Sequence, residues 1–437
     1  MRVLAVTALI AGALLRIAIL PIGVPAVDDS WRAWSYHAAT RGPWNLYGPR
    51  GHTVRFGEIE APVVYPPLAL DELAIVGRVH MATHDGRFEN DVALTRSIKG
   101  AIVLLDALLA ALLFLTVRRV GGPVAAWWAA AAYWANPAAL MITTLGYFDV
   151  FLAIPAVGAV VAASSGRPWL AGGLFAAAVL TKPQGLFVGP AVALALWNAK
   201  GPGTGATRLR GAAWTSALVA AMIAAPVVAV GKTYQMLRSI AVLAGHDMLS
   251  ALAFNLWWIV SYLLVAAAAR GDGLRAGLTA RSEIVTHAYA MAHGFFPHPR
   301  VIGLLLVAAA VLWALNVARD APDLGLQSAF AAFVVVAYFT LSVQVHENHF
   351  FLAVPLLAIA AALRPAFAPV FAALSVTFAL NLYLPFGVRG DGAPPAVWSA
   401  LAIDPSVVLA AITCALCAWL AAVLARECAG LVPPGDR

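Results

Sequence analysis

The chain is predicted to be an all-α, polytopic membrane protein. Three observations carry that expectation. Of its 437 residues, 62% are hydrophobic and only 11% charged, whereas soluble domains carry about a quarter charged residues. Uncharged apolar runs near the length of a membrane-crossing helix, about 20 residues, recur at 212–230, 251–269, 301–318, 326–343, 366–386 and 405–425. The basic residues that give a net charge of +7 gather in short junctions between such runs. That placement reads as a positive-inside orientation signal, not as a nucleic-acid surface. Helices are the expected spanning element because irregular backbone cannot face lipid. The alternating pattern of an outer-membrane barrel is absent. The expectation is a single integral membrane domain, 1–437, of about 12–13 transmembrane helices.

Taken in order, residues 3–22 are apolar apart from Arg16. They read as a retained first span, because Arg16 interrupts the apolar stretch that a signal peptide would need and many further spans follow. Residues 23–66 form a polar, aromatic-rich first outer loop, which opens on Asp28-Asp29 and ends at Tyr65-Pro66-Pro67. It carries Arg32, His37, Arg41, Arg50, His52, Arg55, Glu58 and Glu60 among tryptophans and tyrosines. The helical spacing of Trp31, Trp34 and Ala38 predicts a juxtamembrane amphipathic helix lying in the interface. Pro66-Pro67 marks the start of a short apolar segment, since proline suits the first turn of a helix.

Spans are expected next at 98–117, 123–145, 150–163, 168–180 and 185–197. Arg118-Arg119, Arg167 and a basic loop at 198–211 place their junctions in the cytoplasm, and the later junctions at Arg270/Arg275/Arg281, Arg319, Arg364 and Arg426 follow suit. By alternation, the junctions at Gly146–Asp149, Thr181–Gln184 and Gln344–His349 fall outside with the first loop. Cys414 and Cys417 lie one turn apart in an apolar run and read as ordinary packing, with no disulfide framework. Asp106, inside a span, needs a partner, and Arg16 is the candidate.

Ionisable groups at membrane depth are costly and usually mark function. Asp28 and Asp29 are candidate general bases, because adjacent carboxylates beside a low-dielectric boundary raise one another's pKa. The bland alternative is an acidic cap on the juxtamembrane helix. Lys182, followed by Pro183 at a helix start, suits a substrate phosphate, and a snorkelling interfacial lysine is its bland counterpart. His346 and His349 do not have His-Glu-x-x-His spacing. No metal and no cofactor are expected, and a histidine that hydrogen-bonds a phosphate fits better. Asp149, at a span end, is a substrate-pocket candidate.

In this order the clusters resemble the GT-C superfamily of membrane glycosyltransferases, which use polyprenyl-phosphate-linked sugars. An acidic first outer loop precedes a Tyr-Pro-Pro-Leu turn at 65–68. Asn136-Pro137, the Gly146–Asp149 segment, Lys182-Pro183-Gln184 and Gln344-Val345-His346-Glu347 follow. The resemblance extends to dolichyl-phosphate-glucose-dependent glucosyltransferases and to bacterial mannosyltransferase-like members. It implies an outer-loop aspartate as base, with Asp28 favoured over Asp29 by its spacing to Trp34. It also implies donor-phosphate contacts from Lys182, Gln184 and His346, and a substrate pocket that includes Tyr65, Asp149, Glu347 and His349. Asn348 departs from the lysine usual after His-Glu in that family. The expected partners are a polyprenyl-phosphate-linked sugar donor, a lipid-linked glycan or other outer-face acceptor, and the bilayer, here the plasma membrane. A multi-pass transporter or flippase is the competing class. Transporters favour helices interrupted at mid-membrane, whereas the polar clusters here sit at span ends.

Overall fold

The computed structural model describes residues 2–49, 52–200, 202–245, 247–268, 281–321, 323–398 and 404–430. Arg50, Gly201, Arg270 and Arg275 lie outside the described residues, as do the side chains of Asp28 and Arg281. Among the described residues the protein is all-α apart from four short strands. Six helices among them are long and apolar enough to cross a membrane, and five shorter apolar helices accompany them. It is a multi-pass membrane protein. The chain divides into two compact units, residues 1–245 and 246–437.

The first unit begins with α1 (Arg2–Ile19) and α2 (Pro25–Arg41), followed by a two-stranded hairpin, β1 (Thr53–Phe56) and β2 (Ile59–Pro62). Gly57 turns the hairpin at a φ of 59° that favours glycine. Alternate residues of both strands are buried and exposed, so one face packs and the other carries the Arg55–Glu60 ion pair. The helix α3 (Pro67–Thr83) then starts on the expected proline. It runs beside α2 at close range, because a Cβ on Gly77 would lie 2.5 Å from the Ser35 carbonyl oxygen.

The expected spans 98–117 and 123–145 are reorganised. A single element, α4 (Val92–Trp134), covers the first and half of the second, with non-helical backbone at Gly122. It stops at Ala135 because Asn136 caps the next helix, α5 (Pro137–Leu145), through its side-chain oxygen. Proline after Asn136 removes the N–H that would continue α4. α6 (Asp149–Ser164), α7 (Pro168–Thr181), a 3-10 turn at Pro183–Val188 and α8 (Gly189–Asn198) follow. α9 (Gly205–Ala229) and α10 (Thr233–Ala244) complete the unit. Breaks at proline and glycine leave several apolar helices shorter than a full span beside the six long ones among the described residues.

The expected Arg16–Asp106 pair is present. Arg16 Nε donates to Asp106 Oδ2 at 3.1 Å, Thr143 Oγ1 donates to the same carboxylate at 2.7 Å, and Tyr133 donates to its other oxygen. Arg16 Nη1 also donates to the Trp134 carbonyl at 2.6 Å, with its guanidinium 3.9 Å from the Trp134 ring. Lys99 is buried as well and donates to the carbonyls of Ile22 and Thr144.

The second unit holds β3 (Ser250–Ala251), α11 (Leu256–Ala268), α12 (Arg281–Ala292), α13 (Pro299–Ala318) and α14 (Leu324–Leu341). β4 (Val345–His346), α15 (Ala353–Leu363), α16 (Ala368–Phe386), α17 (Pro395–Trp398) and α18 (Pro405–Ala429) follow. Nearly every residue of α14 is buried, so this apolar run is the unit's core. Cys414, Cys417 and Cys428 are free thiols.

Candidate functional site

The acid pair does not open a loop. Pro25 occupies the first position of α2 and Val24 the cap, so Asp28 and Asp29 lie within the helix. The cap reading is therefore not realised: Val24 has no side-chain acceptor for the first N–H groups. Asp29 is half-buried. Burial pushes its carboxyl above the usual range, and the Arg32 guanidinium one turn on partly offsets this. Arg32 is itself fixed by donating to Asn90 Oδ1 and Thr95 Oγ1, each at 2.6 Å.

The expected helix is present as α2, and its apolar face packs inside the protein. Trp31, Trp34 and Ala38 are all buried in the protein. The sequence spacing identified the apolar face, but that face finds α3, the Tyr65 turn and Phe148 instead of acyl chains. Trp31 packs edge-on to Trp34 and Tyr65 with ring centroids 5.2 and 5.3 Å apart, and tilted against Phe148 at 5.5 Å. Trp34 lies 5.1 Å from Tyr65.

Tyr65 joins this aromatic wall to the lysine turn. Lys182 sits at the junction of α7 and the 3-10 turn, as its Lys-Pro step predicts, and its extended backbone fits the residue before a proline. Its side chain does not snorkel to water; the residue is buried. Lys182 Nζ donates to Asp149 Oδ1 at 2.7 Å and to the Tyr65 hydroxyl, and stands 5.9 Å from the Tyr65 ring centroid. The first residue of α6 thus supplies a counter-ion to the cation at the end of α7. A buried ammonium needs such a partner. Gln184, in the 3-10 turn, is part-buried.

Glu72, on α3, meets the same junction through Thr181 and is not among the candidates that the sequence pattern marks. Thr181, the residue before Lys182, donates to Glu72 Oε1 at 3.1 Å, while Oε2 is buried without a partner. α3 belongs neither to the long apolar helices nor to the shorter ones. Burial pushes the Glu72 carboxyl up to about 8, against a lowering contribution from Thr181, with neighbouring Asp71 adding to the rise. Asp29, Asp71 and Glu72, all in the first unit, are therefore biased toward holding a proton.

The second unit carries the histidine turn. β4 pairs in parallel with β3, placing Val345 opposite Ser250 and His346 opposite Ala251. Gln344 enters the turn at a φ of 61° and donates its N–H to the Leu249 carbonyl at 3.0 Å. A non-glycine residue in that region is uncommon and marks a turn that its surroundings hold in place. Asn381 Nδ2 donates to the Glu347 carbonyl at 3.2 Å, and Asn381 Oδ1 accepts from the Phe254 N–H at 2.6 Å. His346 is part-exposed, with Nδ1 3.9 Å from Glu347 Oε2. Glu347 and Asn348 are buried, and His349 Nδ1 lies 3.2 Å from the Tyr338 hydroxyl.

Of the site residues expected from the sequence, Lys182 contacts both Asp149 and Tyr65, and α2, which bears Asp28 and Asp29, is joined to Tyr65 through Trp31 and Trp34. His346, Glu347 and His349 belong to the second unit. No group of three or more metal-ligating side chains occurs among the described residues.

No family model and no curated protein matches the chain. Solved structures similar to it include two membrane proteins. One is an oligosaccharyltransferase of Archaeoglobus fulgidus with a tethered acceptor peptide, at 16% identity and a TM-score of 0.41, covering 97% of this chain and 55% of that one. The other is ArnT from Cupriavidus metallidurans in the apo state, also at 16% identity and 0.41, covering 97% of this chain and 77% of that one. The chain thus spans little more than half the length of the first of these.

Proposed function

We propose that this protein is an integral membrane glycosyltransferase of the GT-C type, which moves a hexose, mannose or glucose, from a polyprenyl-phosphate donor to an acceptor on the outer face of the plasma membrane. One observation carries the proposal. A helix with two carboxylates in its second turn is packed through Trp31 and Trp34 onto Tyr65, which in turn holds the buried Lys182–Asp149 pair. A base and a fixed cation are thereby tied to one framework, and an inverting sugar transfer needs both.

In the proposed step an acceptor hydroxyl attacks the anomeric carbon. Its proton passes to the Asp28 or Asp29 carboxylate, and the bond from the anomeric carbon to the phosphate oxygen breaks. Polyprenyl phosphate leaves with that electron pair. A raised pKa moves Asp29 toward the operating pH, where general bases are most effective. Lys182 has three N–H donors. Asp149 and Tyr65 engage two of them, and the third is assigned to a donor phosphate oxygen, where fixed positive charge stabilises the leaving group. Gln184 beside it is assigned to the same phosphate. His346 is assigned a phosphate contact, and Glu347 and His349 substrate binding, from the motif resemblance.

The proposal is tested with sealed membrane vesicles of both orientations supplied with labelled polyprenyl-phosphate mannose or glucose. Transfer to an acceptor on the outer face is the expected result. Transfer from a nucleotide sugar on the cytoplasmic face, or uptake of solute without transfer, contradicts it. Cysteine labelling that placed Lys182 and His346 on opposite faces would remove His346 from the phosphate role.

A further inference from the structure

Trp31 and Trp34 are 5% and 2% exposed, and neither indole N–H meets an acceptor in the protein. Among the described buried tryptophans this sets the two apart. The other buried indoles satisfy theirs: Trp134 donates to the Leu9 carbonyl at 2.9 Å, Trp257 to the Leu341 carbonyl at 2.7 Å, and Trp258 to Ser406 Oγ at 2.8 Å. A buried donor left unpaired forfeits its hydrogen bonds to water without replacement. Here two of them belong to adjacent rings that both touch Tyr65. The Lys182 ammonium stands over the same tyrosine.

We infer that the two indole N–H groups are hydrogen-bond donors to the oxygen-rich head group of the lipid-linked donor. The inference rests on the glycosyltransferase reading and extends it by naming what binds the head group besides charge. Neutral donors suit this place, since Lys182 already carries Asp149 as its counter-ion. An aromatic wall with unpaired N–H groups offers a sugar phosphate ring surface for its C–H groups and donors for its oxygens, without adding net charge to a low-dielectric site.

The test compares the full-length protein with Trp31→Phe and Trp34→Phe, which keep a ring and remove the N–H. The probes are polyprenyl phosphate, polyprenyl-phosphate mannose and polyprenyl-phosphate glucose, read by equilibrium binding in lipid nanodiscs. Each substitution is expected to weaken binding of a probe that the wild type binds by roughly tenfold, the value of one net hydrogen bond. Equal weakening for bare and glycosylated probes identifies the phosphate as acceptor, and weakening of the glycosylated probes alone identifies a sugar hydroxyl. Both support the inference. Binding within twofold of wild type in both variants overturns it and leaves the glycosyltransferase reading standing. A wild type that binds none of the three probes overturns both. Should a variant fail to fold, nitrogen-15 indole resonances of the wild-type protein give the second readout. Two indole N–H signals are expected to move on probe addition, and an unchanged indole spectrum with bound probe overturns the inference.

Discussion

Replacing Lys182 with methionine removes the ammonium that faces Asp149 Oδ1 at 2.7 Å and leaves a carboxylate whose side chain is only 2% exposed. At an effective dielectric of about 20, the gross attraction lost at that separation is about 6 kcal/mol. Most of it is offset in the intact pair by the cost of desolvating both ions, so the pair itself contributes little net stability. The single substitution is expected to cost about 3–5 kcal/mol, because it strands one buried charge. Asp149→Leu, which strands the ammonium instead, is expected to cost a similar amount. The double variant Lys182→Met, Asp149→Leu strands neither and should recover most of the loss. A double-mutant cycle by denaturant unfolding in detergent measures this, with an expected coupling of at least about 2 kcal/mol. Additive losses in the double variant would refute the account of a mutually dependent buried pair. The same double variant separates packing from phosphate binding. If Lys182 contacts the donor phosphate, donor affinity stays low even where stability is restored, and normal affinity there removes Lys182 from the phosphate role.

Two further predictions concern protons. Asp29 acts as a base only when ionised, and burial holds its carboxyl above the ordinary value of 3.8. The acidic limb of the pH–rate profile is therefore expected above that value and is expected to vanish with the activity in Asp29→Asn; an unchanged limb there assigns the titration to another group. Glu72 binds its proton up to about pH 8 when folded but releases it near 4.5 when unfolded. Between those values the folded state holds the extra proton, so stability from this group is full below 4.5 and falls as pH rises toward 8. Glu72→Gln should flatten that dependence and exceed wild type by a few kcal/mol, to order of magnitude, at the alkaline end. Parallel stability-versus-pH curves for the two proteins would contradict the assignment.

Much of this structure is legible in the sequence wherever one physical rule dominates locally. Tyr65-Pro66-Pro67 starts a helix because proline suits its first turn, and Lys182-Pro183 marks a break because proline forbids continuation. Arg16 and Asp106 were paired from the cost of burying charge alone. The same rule applies to Asp149 and Lys182, yet each was read as a separate site residue. They belong to different junctions, and only the antiparallel packing of α6 on α7 brings those junctions together. The spacing of Trp31, Trp34 and Ala38 gave the correct apolar face of α2 but not its occupant, because lipid and protein interiors select the same residues. Glu72 was missed because a lone glutamate on a mixed helix looks solvated until its neighbours are known. Asn136, with proline after it, divides one apolar run into two helices. Hydropathy registers apolar length and not the backbone break inside it.

The central claim is that a carboxylate of the Asp28-Asp29 pair takes the acceptor proton during sugar transfer from a polyprenyl-phosphate donor. Its most direct test is initial-rate transfer of labelled mannose or glucose by the purified, reconstituted protein and by the Asp28→Ala, Asp29→Ala double variant, with donor binding measured in parallel. The account predicts a rate reduced by a factor of about 100 or more, the scale of general-base catalysis, with donor binding retained. Transfer by the double variant at the wild-type rate contradicts it.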